Sequence, residues 1–245
     1  MPPRFHAPDM DPTPGTVRLP ESEGRHLARV LRLAPGARVR VFDGRGAEWE
    51  AEVAAIAAGL VDVRLVAPVA PAREAAVPVT LGLAVLKGDK MDDVVRDAVM
   101  LGAAAIRPFV ATRTEIGLAA LGRAGRAERW RRVAVASAKQ CGRAVVPDVG
   151  DPVTFAALLD GAGPGTARYV LVEPSAGTGA TPAGTLPRPE AALVLVGPEG
   201  GWTPAEIAAA TAAGFTPVTL GPWTLRADAV PLVALTALAV AWGEA

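Results

Sequence analysis

The amino-acid sequence predicts an α/β protein of 245 residues, in which a small β-barrel (residues 1–70) precedes a larger domain with a parallel sheet (residues 75–245). Two observations predict this architecture. Before residue 70, short segments alternate polar and apolar residues and follow one another closely, as strands do in small barrels. After residue 75, apolar strands alternate with amphipathic helices, which is the βαβ rhythm of parallel sheets. A proline-rich stretch without periodicity, residues 67–72, separates the two parts.

Composition limits the classes of protein to which the chain can belong. With one cysteine no disulfide can form within the chain, so a reducing, cytoplasmic compartment is expected. The N-terminus lacks the apolar core of a signal peptide, and the longest apolar run, 229–242, is too short for a bilayer and predicts a buried helix. The net charge is zero, but Lys and Arg outnumber Asp and Glu by 12 to 6 between residues 87 and 143. This basic segment suits a phosphate-rich partner, although solvated helix faces would explain it equally well.

Between residues 16 and 33 the sequence predicts a strand and then a helix. Residues 16–19 alternate as a strand, and Ser22 is a suitable N-cap for a helix that continues to about Leu33. A regular α-helix would have one face that packs and one that can contact phosphate or only solvent. The packing face would consist of Leu27, Val30 and Leu31, and the outer face of Arg25, Arg29 and Arg32.

Three further strands complete the first domain. Residues 39–42 and 48–53 alternate on either side of residues 43–46, Asp-Gly-Arg-Gly, which predict a hairpin turn. Residues 60–66 form the next strand. Strands at this spacing, with one helix, are typical of a small β-barrel.

Strands and helices alternate in the second domain. The predicted elements are strands at 81–86, 104–110 and 170–172, a helix from Met91 to Gly102 and a long basic helix at 126–143. Residues 176–189 are rich in Gly, Thr and Pro and are expected to form a loop.

The second domain is organised around the stretch from residue 193 to residue 228. A buried strand, 193–196, runs into the loop Gly197-Pro198-Glu199-Gly200-Gly201, which carries little side-chain bulk. A capping box then starts a helix, with Thr203 at the N-cap, Pro204 at the first position and Glu206 at the third, and Gly214 marks its end. A further strand, 216–220, leads into a second loop, 221–228. Two glycine-containing loops thus reach one edge of a sheet, where open α/β sheets bind ligands.

The first glycine loop does not match the common nucleotide motifs. No Lys-Ser or Lys-Thr follows the glycines, which excludes a P-loop, and their spacing is not that of a dinucleotide fingerprint. The carboxylate of Glu199 would also repel a polyphosphate. The loop therefore suits a neutral or cationic ligand.

Motifs over nearly the whole chain match one family. They are Leu195-Val196-Gly197-Pro198-Glu199-Gly200-Gly201, Glu206, Leu220-Gly221, Leu225-Arg226, Lys87-Gly88-Asp89-Lys90-Met91, and Gln140-Cys141-Gly142-Arg143 followed by Val146-Pro147. In these residues the chain resembles the SPOUT (trefoil-knot) methyltransferases and, within them, the bacterial 16S rRNA uracil-N3 methyltransferases of the RsmE family.

The resemblance implies an architecture and a reaction. The first domain would be a PUA-like RNA-binding barrel, and the second a SPOUT methyltransferase domain with its knot at about 168–245. S-adenosylmethionine would donate a methyl group to N3 of one uridine in 16S rRNA, in the 30S subunit. The protein would be a homodimer formed through the knot domain, with no metal and no membrane contact.

The resemblance also implies sites. Donor binding would involve Leu171, Val172, Glu173, Pro174, Leu195, Val196, Gly197, Pro198, Glu199, Gly200, Gly201, Leu220, Gly221, Pro222, Leu225 and Arg226. RNA binding would involve Arg4, Arg25, His26, Arg29, Arg32, Lys87, Lys90, Arg113, Gln140 and Arg143. Because N3 of uracil carries a proton, a base is useful, and Glu199 and Asp228 are the acids of the two central loops. Arg226 would stabilise the negative charge that develops on the uracil oxygens.

Several alternatives stay open. Glu199 can brace its loop, Arg226 can pair structurally with Asp228, and Trp202 and Trp223 are expected to pack at the dimer contact rather than on a base. Asp228, Met100, Lys139 and Val230-Pro231 depart from the family pattern, which usually has Glu at the position of Asp228. The rival functions are a SPOUT methyltransferase of another specificity, such as ribose 2′-O, and an RNA-binding assembly factor without turnover.

Overall fold

The computed structural model describes residues 2–13, 15–161, 165–176 and 179–244. The chain divides into two compact units. The first contains residues Met1–Glu74 and Val135–Val146, and the second contains residues Ala75–Ala134 and Pro147–Ala245. Each unit has a hydrophobic core of its own.

The first unit is built on a five-stranded sheet. Its elements are β1 (Arg4–His6), β2 (Thr16–Arg18), α1 (Glu21–Arg25), β3 (Arg38–Phe42), β4 (Glu48–Ala57) and β5 (Leu60–Val69). The strand order is β1-β3-β4-β5-β2, with β1 parallel to β3 and the other pairs antiparallel. The register shifts twice between β4 and β5, and such bulges bend a strand and allow a sheet to curve around its core.

Two features of this unit differ from the sequence prediction. β1 was not predicted, because three residues are too few to show an alternating pattern. β5 continues to Val69, into the proline-rich stretch. Pro68 is tolerated there because β2 pairs only with Asp62 to Arg64, which leaves the outer edge of β5 free at Pro68.

The predicted helix from Ser22 to Leu33 is shorter and irregular. It begins at Glu21 without a side-chain cap, so the expectation that Ser22 is the N-cap was wrong. After Arg25 the helix continues as a π-helical turn, His26–Val30. Hydrogen bonds in a π-helix join residues five apart, so side chains leave the α-helical phase.

This change of phase overturns the predicted packing face. Leu27 is fully buried, but Val30 is 65% exposed and Leu31 39% exposed. Arg32 has a left-handed φ of 53°, and the Leu33 amide donates a hydrogen bond to the Leu27 carbonyl. These two features end the helix, with Arg32 in the left-handed position that glycine usually occupies.

The second unit alternates strands and helices. Its elements are β6 (Val79–Ala84), α2 (Lys90–Met100), β7 (Ala105–Val110), α3 (Leu118–Arg123), α4 (Arg126–Cys141), β8 (Asp148–Val149), β9 (Val153–Thr154), α5 (Phe155–Asp160), β10 (Thr166–Leu171), β11 (Thr181–Pro182), β12 (Ala191–Val196), α6 (Pro204–Ala212), β13 (Thr216–Thr219) and α7 (Val230–Ala241). The C-terminal end of α4 belongs to the first unit.

The described strands of this unit form one parallel sheet in the order β11-β13-β10-β12-β6-β7-β8, with β9 also paired to β7. β12 lies inside the sheet, which explains its continuous apolar residues. The capping box of α6 is present as predicted, and Gly214 follows the helix with a φ of 84°. Within the predicted loop 176–189, β11 adds a strand at the sheet edge, while residues 177–178 lie outside the described residues.

Candidate active site

The carboxyl ends of three neighbouring parallel strands meet at one edge of the second sheet. β10 lies between β12 and β13, with Val170 opposite Leu195 and Leu171 opposite Val218. The loops that follow these strands therefore lie side by side. They enclose a cavity of about 340 Å³, which we call the strand-end cavity.

The strand-end cavity collects most of the residues predicted to bind the donor. Its lining consists of Lys90, Leu171, Val172, Glu173, Pro174, Val196, Gly197, Pro198, Glu199, Gly201, Trp202, Thr219, Leu220, Trp223, Thr224, Leu225, Arg226, Ala227, Asp228 and Val230. All three predicted catalytic residues are among them. Four predicted donor-binding residues are not, namely Leu195, Gly200, Gly221 and Pro222. Leu195 is fully buried in the core behind the cavity.

Trp202 supports the glycine loop from inside the same unit. Its Nε1 donates a hydrogen bond of 2.8 Å to the Leu171 carbonyl, and its ring stacks on Phe109 at a centroid distance of 6.0 Å. A Cβ on Gly197 would lie 2.8 Å from the Trp202 ring, so only glycine fits there. The expectation that Trp202 packs at a dimer contact stays a prediction, and within the unit its ring already packs on Phe109 and Phe155. Trp223 is different, since it is 77% exposed.

Glu199 fastens the glycine loop to the start of α2. Its Oε1 accepts hydrogen bonds from the Lys87 amide at 3.1 Å and from the Lys90 ammonium at 3.3 Å. Burial alone would raise the pKa of Glu199, but the hydrogen bonds from the amides of Lys87 and Glu199 itself, with the charge of Lys90, hold that pKa below its ordinary value of 4.5. A carboxylate with a lowered pKa is a weak base, so the geometry favours the bracing role.

Arg226 and Asp228 form an ion pair within the second loop. Two hydrogen bonds of 3.2 Å join Arg226 Nε and Nη2 to the two carboxylate oxygens of Asp228. The side chain of Arg226 is 76% exposed, whereas that of Asp228 is 30% exposed. Asp228 therefore orients a guanidinium that still faces solvent at the rim of the strand-end cavity.

Glu206 connects the capping box to the loop after β7. Its Oε2 accepts hydrogen bonds from the amide and hydroxyl of Thr203, at 2.9 and 2.8 Å, and its Oε1 accepts one of 2.8 Å from the Thr112 amide. The neighbouring Arg113 donates from Nη1 to the Gly200 carbonyl at 2.8 Å. The sequence identified Glu206 only as a cap, because nothing in the spacing shows that Thr112 lies beside it.

Two residues predicted to bind RNA are buried instead. Arg4 donates hydrogen bonds to both carboxylate oxygens of Glu48 and to the carbonyls of Ala138 and Arg143. Arg143 forms an ion pair with Glu74. Each arginine is only 8% exposed, so neither can meet RNA phosphate and both assignments are corrected. Their role is to join residues 135–146 to the rest of the first unit.

The other residues predicted to bind RNA lie on the surface, but some are engaged. The exposed ones are Arg25, His26, Arg29, Arg32, Lys87, Arg113 and Gln140. Ion pairs join Arg25 to Glu21, Lys87 to Glu115 and the partly exposed Lys90 to Glu199. Arg29 and Arg32 have no carboxylate partner within the described residues.

The described part of the chain contains neither a metal-binding cluster nor a helix that could cross a membrane. No group of three or more His, Cys, Asp or Glu side chains there could hold a metal ion. None of the helices in those residues combines the length and apolar character that a bilayer crossing requires.

Two family models match the two parts of the chain. A model described as an RNA methyltransferase domain matches residues 73–239, and one described as an RNA methyltransferase PUA domain matches residues 19–66. Ribosomal RNA small subunit methyltransferase E of Synechocystis sp. is 36% identical over 90% of this chain and 71% of the relative. The protein of the same name from Bacillus subtilis is 29% identical over 91% of this chain and 89% of the relative.

Solved structures agree with these matches. Ribosomal RNA small subunit methyltransferase E of Neisseria gonorrhoeae, bound to S-adenosyl methionine, superimposes with a TM-score of 0.90 and 30% identity over 99% of this chain and 98% of that one. A putative methyltransferase from Legionella pneumophila, also with bound SAM, has a TM-score of 0.90 and 26% identity over 98% of each chain. The predicted fold class, a SPOUT α/β domain with a PUA-like N-terminal domain, is confirmed. The chain belongs to the ribosomal RNA small subunit methyltransferase E family.

Proposed function

We propose that this protein transfers a methyl group from S-adenosylmethionine to N3 of one uridine in 16S rRNA, giving 3-methyluridine. The observation that carries the proposal is the strand-end cavity, whose lining includes most of the predicted donor-binding residues and all three predicted catalytic residues. The names of the relatives, which are small-subunit rRNA methyltransferases, support the substrate class. The choice of uracil N3 is supported by the motifs that the chain shares with the RsmE family.

The residues of the strand-end cavity suit S-adenosylmethionine. Its volume of about 340 Å³ is within the range of small-molecule sites. Leu220 and Leu225 offer apolar surface to an adenine ring. Glu173, Glu199 and Asp228 favour a cationic sulfonium and disfavour a polyphosphate.

The residues of the chain mainly align the reactants. When bound, S-adenosylmethionine supplies a methyl group that its own sulfonium charge activates. Glu199 keeps the glycine loop in place through Lys87 and Lys90. Arg226, oriented by Asp228, presents positive charge at the rim, where it attracts the negative charge of the target nucleotide. Because N3 lies on the pairing edge of uracil, the target base has to be unpaired or flipped out.

The two units take different parts in this proposal. The first holds RNA through exposed arginines, and the second carries the transfer site. We place the reaction in the cytoplasm, on 16S rRNA within the 30S subunit, and expect a homodimer formed through the second unit. Exposed apolar residues in or near α7, namely Trp223, Val233 and Val240, support such a contact.

Nucleoside analysis tests the proposal directly. Wild-type protein is incubated with methyl-labelled S-adenosylmethionine and unmodified 16S rRNA, either naked or as 30S subunits, and the RNA is digested for mass spectrometry. 3-Methyluridine is the expected product. A 2′-O-methylnucleoside would replace the proposal by the ribose specificity, and donor binding without any transfer would favour an assembly factor.

A further inference from the structure

A second cavity adjoins the strand-end cavity and has no role in the mechanism above. It has a volume of about 560 Å³, and we call it the outer cavity. Val172, Glu173, Gly201 and Trp202 line both cavities, so the two cavities meet at these four residues. Gly201 adds no side chain at this junction. A ring in the outer cavity can therefore approach a group in the strand-end cavity beside Gly201.

Glu173 lies where the two cavities meet, and its carboxylate is not held by a cation or a hydrogen-bond donor among the residues that the structure describes. Glu199 is held by Lys87 and Lys90, and Asp228 by Arg226. Glu173 is exposed and has no hydrogen-bond donor or cationic partner within the described residues. A general base has to approach the proton that it removes, and a carboxylate already paired with a cation does so less readily.

Arg113 and Glu173 converge at Gly201. A Cβ built on Gly201 would lie 3.4 Å from Glu173 Oε1 and 3.9 Å from Arg113 Nη1. Nη1 is bound to the Gly200 carbonyl, but Nε and Nη2 have no acceptor in the described part of the chain. The outer cavity thus has one acceptor and two donors beside each other, and apolar walls from Pro204 and Ile207.

We propose, on the basis of the proposed function, that the outer cavity holds the target uracil and that Glu173 is the catalytic base. The N3–H group of uracil would donate to Glu173, and a uracil carbonyl oxygen would accept from Arg113. Apolar contacts from Pro204 and Ile207 would hold the ring, which is how enzymes read a flipped base. The pairing edge of uracil has one donor, N3–H, and two carbonyl acceptors, which match the acceptor of Glu173 and the donors of Arg113. A phosphate would be repelled by Glu173.

The proton and electron balance is simple. Glu173 takes the N3 proton, and the electron pair left on N3 forms the new bond to the methyl carbon. The bond between that carbon and the sulfonium sulfur breaks, and its electron pair stays on sulfur as S-adenosylhomocysteine leaves. Arg113 stabilises the charge on the uracil oxygen until the bond to carbon has formed.

The role of Glu173 as catalytic base is tested with the variant Glu173→Gln. The control is Glu190→Gln, because Glu190 is an exposed glutamate in the same unit. We expect the single-turnover rate of 3-methyluridine formation to fall by roughly 100-fold or more at neutral pH, which is the size of a general-base contribution. These rates are taken at saturating S-adenosylmethionine, because Glu173 also lines the strand-end cavity and its loss weakens donor binding. Calorimetry of the variant sets the donor concentration that saturation requires. Rates of Glu173→Gln should recover at high pH, and also on RNA transcribed with 5-fluorouridine, whose N3 proton is more acidic.

The cavity is tested with a matched pair on α6. Ala208 lines the outer cavity, whereas the exposed Ala209 lines neither cavity. Ala208→Phe should fill the site and lower kcat/KM for RNA by about tenfold or more, while Ala209→Phe keeps the wild-type value. Donor affinity should stay unchanged in both variants.

The outcomes separate this inference from the proposed function. If wild-type protein forms no 3-methyluridine, the proposed function fails and takes the inference with it. If wild-type protein forms 3-methyluridine and Glu173→Gln is equally fast, Glu173 is not the base. A slow Glu173→Gln variant that neither high pH nor 5-fluorouridine rescues would assign Glu173 a structural role. An Ala208→Phe variant with wild-type kcat/KM would mean that the target uracil does not bind in the outer cavity.

Discussion

Glu206 joins two loops of the active site through one buried carboxylate. It is 7% exposed and accepts hydrogen bonds from Thr112 and Thr203. Glutamine keeps the shape but offers only one acceptor oxygen, so Glu206→Gln leaves one partly buried amide, of Thr112 or Thr203, without a partner. We expect the free energy of unfolding to fall by about 1–3 kcal/mol, measured by urea titration at pH 7. Glu190→Gln is the control, and equal stability of the two variants would contradict this role.

The same residue predicts a pH dependence. Burial would raise the pKa of Glu206, but the hydrogen bonds from Thr112 and Thr203 hold it below its ordinary value of 4.5. The ionised carboxylate therefore stabilises the folded state fully above about pH 4.5, and this stabilisation is lost as the pH falls through the lower pKa of the folded protein. The difference in Tm between wild type and Glu206→Gln should be largest near pH 7 and should shrink between pH 5 and pH 3. A difference in Tm that grows as the pH falls would mean that folding raises the pKa of Glu206, which would contradict this prediction.

At the scale of elements, the glycine loop depends on the close approach of Gly197 to Trp202. Gly197→Ala would place a methyl group 2.8 Å from the Trp202 ring and would displace the indole that bonds to Leu171. We expect a loss of about 1–3 kcal/mol in the free energy of unfolding. S-adenosylmethionine binding should weaken on the order of tenfold, because the loop shifts. Gly184→Ala is the control, since no atom lies within 4 Å of its Cβ.

The π-helical turn gives a second test at this scale. Leu27 is fully buried in the first unit, whereas Val30 is 65% exposed. Leu27→Ala should lower the free energy of unfolding by about 2–5 kcal/mol. Val30→Ala should change it by less than about 0.5 kcal/mol, as surface substitutions do. Urea unfolding of the two variants decides the matter, because a regular α-helix would make both substitutions costly.

These elements show which parts of the structure the sequence could predict. Local patterns succeeded where a single chain segment contains all the determinants, as in the capping box at Thr203 and Glu206. They failed at the π-helical turn, where five-residue hydrogen bonds replace the α-helical period that was assumed. β1 and β11 are too short to carry a pattern, and they form only because a neighbouring strand pairs with them.

The sequence predicted only part of the functional site. The strand-end cavity follows from three strands and their loops, which the motifs identify. The partners of Arg4 and Arg143 lie far away in the sequence, so the resemblance suggested an RNA contact for residues that are in fact buried. The outer cavity was also hidden, because Arg113 and Glu173 are 60 positions apart in the sequence.

At the scale of the whole molecule, residues 135–146 make the first unit depend on a later part of the chain. Arg4 is bound there by the carbonyls of Ala138 and Arg143, and its charge is balanced by Glu48. A buried pair of this kind is costly to break, because the remaining charge has no partner. The first unit is therefore completed only when α4 has been made and folded.

The surface of that unit provides the last prediction, which separates RNA binding from donor binding. Arg29 and Arg32 are exposed beside Val30 and Leu31, and they have no carboxylate partner in the described part of the chain. If they contact phosphate, Arg29→Ala/Arg32→Ala should weaken binding of 16S rRNA and reduce the slope of log Kd against log salt concentration by about 1.5. Arg18→Ala is the control, because Arg18 is exposed in the same unit but is paired with Asp62 at 2.8 Å. Filter binding at several salt concentrations measures the slope, and calorimetry should show unchanged affinity for S-adenosylmethionine. An unchanged slope in the double variant would mean that these arginines contact only solvent.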